Sequence, residues 1–313
     1  MIDVTLLGTA ALLPLPDRAL TAAALSCAGH TILFDCGEGT QTAARKAHVN
    51  ILSAGVIALT HCHGDHIFGL PGLLQSMFSM NRTAPLVIVG PQEAQAELAP
   101  LVKLAGRLSY EVRLAALPAG GVRLCELQPG WPGEARLSAF RTEHRVASQG
   151  YAFTLGRAGR FMPERAQALN VPVKAWSTLQ RGASVTVDGR VVTSDEVLGA
   201  PRRGLKFVFS GDTAPCAALE EAAREADLFI CEATYGENEQ APLAADHGHM
   251  TFAQAGALAA RAGARRLWLA HYSQMIQEPG EYIENARAFF PDAVCGEDGM
   301  AITLRFEEDS LRG

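Results

Sequence analysis

Thr60-His61-Cys62-His63-Gly64-Asp65-His66 decides the fold, because it sets four potential metal ligands within six residues directly after the apolar run Gly55-Val56-Ile57-Ala58-Leu59. Imidazole and carboxylate together suit zinc, with manganese, iron or cobalt as alternatives. In an extended chain alternate side chains share a face, so His61 and His63 can point to one side. Gly64 permits a turn that aims Asp65 and His66 at a second nearby ion. Cys62 then faces away from the histidines and is read as a small buried hydrophobe. The bland alternative is a histidine-rich surface loop. Three of the chain's nine histidines beside an aspartate in one short stretch count against it.

Outward from this stretch the chain alternates strand-like and helical patterns. Strands are expected at 2–7, 30–35, 55–59, 86–89, 108–116, 121–127, 136–141, 150–155, 206–209, 227–231, 266–270, 293–295 and 300–305. Helices are expected after Gly39, over 68–80, from Pro91, over 214–225, from Thr251 to Gly263 and from Pro279. Thr251 with Gln254 forms a capping box, and Gly263 suits a helix C-terminus. The pattern implies mixed sheets with helices outside, an α/β protein.

Nearly half of the 313 residues are hydrophobic (48%), ample for a buried core. The formal charge of −6 argues against a generic nucleic-acid binder. Seven dispersed cysteines without CxxC spacing favour reduced thiols over a disulfide framework. No signal peptide is read at the N-terminus, and no apolar run is long enough for a membrane-spanning helix. From Leu155 to Lys206, nine basic residues stand against four acidic ones. This segment is either a solvated surface insertion or a phosphate-contacting surface on an otherwise acidic protein. It contains a hairpin turn at Asp188-Gly189.

Further ligands are expected at strand ends. His144 follows 136–141, Asp212 follows 206–209 and His271 follows 266–270. Singly, each has a plain structural explanation: a lone histidine is often a satisfied structural residue, and Asp212 could cap the helix after it. Together, each at the mouth of a buried strand, they favour a shared metal site.

HCHGDH followed by His144, Asp212 and His271 resembles the signature of the metallo-β-lactamase superfamily, with Asp35 as a structural support for the metal loops. LFDCGEGTQ (33–41), LTHCHGDHIFGLPGLL (59–74), TEHRVASQGYAF (142–153), FSGDTAPC (209–216), CEATY (231–235), HMTFAQA (249–255) and LAHYS (269–273) narrow the likeness. Together they are similar to the ribonuclease Z family of transfer-RNA 3′-processing endonucleases, from about residue 2 to 305. The resemblance implies an αββα sandwich of two mixed β-sheets flanked by helices, a single domain over 1–313 with an inserted basic arm at about 155–206. It implies two Zn2+ per subunit, with Mn2+, Fe2+ or Co2+ possible. His61, His63 and His144 hold one ion, Asp65, His66 and His271 the other, and Asp212 bridges them.

The same resemblance makes Asp65 the group that orients or deprotonates the water, so that metal hydroxide attacks a phosphodiester. His249, partnered by Glu232, becomes the proton donor to the leaving ribose 3′-oxygen. His247 is read as surface, and His30 and His48 as structural or exposed. The implied substrate is precursor transfer RNA, cut to leave a 3′-hydroxyl on the mature end. The implied enzyme is a cytoplasmic homodimer without membrane attachment, in which one subunit's arm serves the other's active site. The alternative is a small-molecule phosphodiesterase or arylsulfatase of the same superfamily. A binding or scaffolding protein without turnover would need neither Asp65 nor the His249–Glu232 pair. The chain departs from the family pattern in the arm, where Val171-Pro172-Val173-Lys174-Ala175-Trp176 stands in place of a Pro-Pro-Gly-Pro-like stretch.

Overall fold

Apolar runs become strands here because both of their faces are buried. A computed structural model describes residues 1–307. In β3 (His30–Phe34), Ile32 and Phe34 turn to the space between two sheets, while Leu33 turns outward beneath helices. The same alternation holds in β4 (Ala54–Ala58), where Val56 and Ala58 face inward and Ile57 outward. In β12 (Arg202–Phe209), Phe207 and Phe209 face inward and Val208 outward.

The first sheet runs in the order β16 (Ala301–Leu304), β1 (Ile2–Gly8), β2 (Ala22–Cys27), β3, β4, β5 (Leu86–Val89), β6 (Val112–Ala115). Its β16-to-β3 half is antiparallel and its β3-to-β6 half parallel. The second sheet mirrors it: β15 (Ala293–Cys295), β14 (Leu267–Ala270), β13 (Leu228–Glu232), β12, β9 (Gln149–Arg157), β8 (Ala135–Arg141), β7 (Val122–Arg123). Here β15 to β12 are parallel, and β12 to β7 antiparallel. The sheets meet over one apolar layer in which the Phe34 ring lies 5.2 Å from Phe207 and 5.6 Å from Phe209. Helices Thr40–Lys46 and Leu70–Ser79 cover the first sheet; Ala217–Ala223, Phe252–Ala262 and Ile283–Arg287 cover the second. The architecture is the expected αββα sandwich.

Several boundaries differ from expectation. β2 reads AAALSC, an alanine-rich run with weak strand propensity, and becomes a strand because it pairs on both edges and is buried on both faces. The strand expected over 121–127 is two residues long and passes into a helical turn, Leu124–Leu127. The helix expected over 68–80 runs over Leu70–Ser79, and a separate single turn, Gly64–Ile67, precedes it. Pro91 and Pro279 lead into short 3-10 turns that pass into the α-helices Gln95–Leu104 and Ile283–Arg287. The Thr251–Gln254 capping box and the left-handed Gly263 frame their helix as expected.

Between β9 and β12 the chain leaves the sheet over 158–201. There β10 (Val185–Val187) and β11 (Arg190–Val192) form the expected hairpin, with Asp188 and Gly189 both at positive φ (47° and 79°). Ala166, Val171, Leu179, Val192 and Val197 make a small core of its own. Many cations of this segment are spent on structure. Arg203 pairs with Asp227 at 2.7 Å, Lys206 Nζ donates to the Arg224 carbonyl at 2.9 Å, and Arg190 pairs with Glu196. Among the described residues, Lys174 and Arg181 have no such partner. No described helix is long and apolar enough to cross a membrane.

Phe207 joins the sheets without touching the cleft at their edge. Phe207→Ala should lower unfolding free energy by about 3–5 kcal/mol, measured by urea denaturation.

Candidate metal centre

The parallel strands of both sheets bring their carboxyl ends to one cleft, the usual place for a ligand in an open α/β sheet. Asp35 follows β3, Thr60 and His61 follow β4, Asp212 follows β12, Glu232 ends β13, and His271 follows β14. His144 sits in the loop from β8 to β9. The 61–66 stretch is stitched down by the Cys36 N–H donating to the His66 carbonyl (2.8 Å) and the Gly69 N–H donating to the Cys36 carbonyl (2.9 Å). A Cβ on Gly37 would sit 2.0 Å from the Asp65 carbonyl oxygen, and one on Gly69 would sit 1.9 Å from that of Gly37. The close approach requires glycine at both.

All seven residues expected as ligands come together, in two groups that share Asp212. Donor atoms of His61, His63, His144 and Asp212 lie within 4.8 Å of one another, as do those of Asp65, His66, Asp212 and His271. In the first group His61 Nε2 and His144 Nε2 converge on His63 Nδ1, at 3.0 and 3.1 Å. In the second, Asp212 lies 3.3 Å from His66 Nε2 and 3.2 Å from His271 Nε2.

The outer nitrogens of these rings decide what the inner ones offer. His144 Nδ1 donates to the Gly248 carbonyl (2.8 Å) and His66 Nδ1 to Asp35 (2.8 Å). Thr60 gives its hydroxyl proton to Asp35 (2.9 Å), so its oxygen accepts from His61 Nδ1 (3.0 Å). Thr234 gives its proton to Glu232 (2.8 Å) and accepts from His271 Nδ1 (3.0 Å). In each ring, when neutral, the inner nitrogen then presents a lone pair to the cleft, the arrangement that orients metal-binding histidines. His66 Nε2, His271 Nε2 and Asp212 Oδ1 are buried without a hydrogen-bond partner. Buried orphans of this kind are costly, and a divalent cation on this N/O donor set would satisfy all three.

Glu232 belongs to a different category, although it lies near His249 and His271. It accepts from the Thr213, Thr234 and Met250 N–H groups, from the Thr234 hydroxyl and from His249 Nδ1, at 2.8 to 3.2 Å. A carboxylate offers about four lone-pair sites, so Glu232 has none left for an ion.

Charge follows the same division. Burial pushes His61, His63 and His144 below the usual imidazole range, which keeps them neutral and able to ligate. Burial also works against charge on His66, but Asp212, Asp35 and Asp65 outweigh it and hold its pKa well above the ordinary value. Without a cation, a proton on His66 answers those carboxylates. Burial opposes ionisation of Asp212, and His271, His66 and His61 overcome it. His249 is raised to about 9: burial lowers it, and the Glu232 charge and hydrogen bond more than reverse that.

The cleft has a volume of about 640 Å3. Leu12, Leu13 and Phe68 stand exposed at its rim, and the Leu12 N–H donates to Asp65 at 2.8 Å. Cys62 is half-buried among apolar neighbours outside both donor groups, with burial pushing its thiol up to about 12. His247 is not a free surface residue: its Nδ1 lies 2.6 Å from the Tyr235 hydroxyl, and both line the cleft. His30 packs on Trp131. Sequence reasoning missed the two relay hydroxyls, Thr60 and Thr234. Both lay inside recognised motifs, where only the charged and imidazole residues drew attention.

The fold and donor set define a divalent-metal hydrolase of the metallo-β-lactamase superfamily. Residues 171–272 match the family model for a β-lactamase superfamily domain, and residues 2–161 match that for the anti-Pycsar protein Apyc1. The chain is 40% identical over 309 residues to ribonuclease Z of Lachnoclostridium phytofermentans, spanning 99% of this chain and 100% of the relative. It is likewise 40% identical over 310 residues to ribonuclease Z of Agathobacter rectalis, with the same coverage. The crystal structure of human tRNase Z, short form, superposes with a TM-score of 0.66 at 27% identity, covering 97% of this chain and 100% of that one. The chain belongs to the ribonuclease Z family.

Because Asp212 is common to both groups, Asp212→Ala should lower bound metal to a greater extent than His144→Ala. Elemental analysis of the two purified variants beside wild type measures this, and equal loss would break the shared-donor arrangement.

Proposed function

We propose that this protein removes the 3′ trailer from precursor transfer RNA, using two zinc ions. His61, His63 and His144 hold one, Asp65, His66 and His271 the other, with Asp212 between them. The name its relatives share supports the substrate. The observation that carries the chemistry is the His249–Glu232 pair at 2.9 Å, set 4.0 Å from Asp212. A protonated imidazole beside a metal-donor set is of no use for holding a cation but is what an alkoxide leaving group requires.

Bound in the two groups, the ions would acidify a water and neutralise phosphodiester charge. Asp65, fixed by the Leu12 N–H, faces the same space and takes the proton of the attacking water. His249 has its Nδ1 committed to Glu232, which leaves Nε2 to hand a proton to the departing ribose 3′-oxygen. The water oxygen forms a new bond to phosphorus as the bond to the 3′-oxygen breaks. The products are a 3′-hydroxyl on the transfer RNA and a 5′-phosphate on the trailer.

The inserted segment is the transfer-RNA-gripping arm, acting through Lys174 and Arg181 rather than through its whole basic complement. The enzyme works as a cytoplasmic homodimer in which one subunit's arm serves the cleft of the other.

Incubating the zinc-loaded protein with an end-labelled precursor should give a single cut at the 3′ side of the acceptor stem. Asp65→Ala should abolish it. His249→Ala should slow it by about 10²–10⁴-fold with metal content intact. No cut by a metal-loaded enzyme that still turns over small diesters would replace this function with a small-molecule phosphodiesterase.

A Lys174→Glu, Arg181→Glu double variant should bind precursor more weakly and reduce the slope of log affinity against log salt by about 2. Hydrolysis of a chromogenic small diester should be unchanged. Equal loss of both activities would make the segment part of the fold.

A further inference from the structure

Arg145 follows a metal-site histidine, and the proposed chemistry leaves it unused. It lies in the loop between β8 and β9 and lines the catalytic cleft. Among the described residues it is the only lysine or arginine to do so, whereas Glu38, Asp65 and Asp212 line the same cleft. Its side chain is exposed and makes no hydrogen bond or ion pair among the described residues.

The backbone that carries it is pinned on both sides. The Glu143 N–H donates to Thr213 Oγ1 (3.0 Å), the Ala214 N–H donates to the Glu143 carbonyl (2.8 Å), and the Thr142 and Ser148 hydroxyls meet at 2.7 Å. His144 is itself tied to Gly248. A fixed backbone presenting a free guanidinium is preorganised for a ligand, and its planar fork matches phosphate oxygens.

Position says which phosphate. Tyr235 stands beside His249, their rings 6.4 Å apart, and its hydroxyl is closed off by His247. Arg145 is close enough to this wall for its charge to act on both Tyr235 and His63, as a smaller influence than burial. His249 marks where the leaving 3′-oxygen sits, so the nucleotide that carries that oxygen lies against the same wall. Its other phosphate, on the 5′ side, then faces Arg145.

We propose that Arg145 anchors the backbone phosphate on the 5′ side of the nucleotide whose 3′-oxygen leaves, and so sets that nucleotide's register in the cleft. This rests on the assignment of RNA cleavage above and deepens it. Arg145 is a positioning residue, and its loss should fall on KM.

The test uses the zinc-loaded full chain and a short precursor carrying one uncharged methylphosphonate at that linkage. Wild type should show a KM about tenfold higher on the methylphosphonate than on the unmodified RNA, as expected for one lost charge-assisted contact. Arg145→Ala should show that higher KM on unmodified RNA, with kcat little changed, and no further penalty from the methylphosphonate. Arg145→Lys should recover part of the loss.

A methylphosphonate penalty in Arg145→Ala equal to that of wild type would overturn the proposal. So would loss of bound metal in both Arg145→Ala and Arg145→Gln, which would make the residue structural. Failure of wild type to cut the unmodified precursor would be a different result: it overturns the RNA-cleavage assignment and the anchor with it.

Discussion

Two buried carboxylates, Asp35 and Glu232, hold the site together. Each is almost wholly removed from water and pairs with no lysine or arginine among the described residues, so each must be answered by hydrogen bonds. Asp35 takes them from the Thr60 N–H and hydroxyl and from His66. Glu232 takes them from Thr213, Thr234, His249 and Met250. Through Thr60 the first carboxylate also fixes His61, and through Thr234 the second fixes His271. Removing one partner from such a set leaves charge unanswered in the interior, a cost of about 3–5 kcal/mol for a buried pair. The cleft geometry is therefore bound up with the stability of the fold.

The two sheets repeat each other, and that repetition gives the cleft two halves. Each sheet is half antiparallel and half parallel, with the parallel strands ending on the same side. Buried carboxylates sit at the strand ends of each, Asp35 in the first sheet and Asp212 and Glu232 in the second. The turns there are strained: Asp35 and His271 both adopt positive φ, 60° and 61°, which side-chain-bearing residues rarely do. The surrounding hydrogen bonds hold them in place, as is common where a backbone must aim a functional group.

A single hydrogen-bond inventory separates roles that composition leaves mixed. His249 and His271 have similar neighbours, their rings 5.5 Å apart. The inner nitrogen of His271 lies beside Asp212 and Asp65 and makes no hydrogen bond, whereas His249 is committed to a saturated Glu232. The first arrangement suits a cation and the second a proton. Charge on the arm divides in the same way: most of its cations are tied to carbonyls and carboxylates, and few remain for an external polyanion. Arg145, by contrast, stands free at the cleft itself.

The sequence alone determined the strand that ends at His61, the HCHGDH cluster, the strand-end positions of His144, Asp212 and His271, and the Thr251–Gly263 helix frame. These are legible because each is a local pattern: alternation, a cap, or ligands a few residues apart. Resemblance to a family supplied the grouping of ligands, which spacing could not, since His63 and His144 are 81 residues apart and meet only in the folded chain. Tertiary structure alone decided that the alanine-rich run 22–27 is a strand, because pairing on both edges overrides its weak propensity. It also decided that Thr60 and Thr234 relay two carboxylates to two histidines, and that His247 belongs to the cleft wall. The physical reason is common to all three. Hydrogen-bond partners and burial are set by which distant segments meet, and a local pattern carries no record of that meeting.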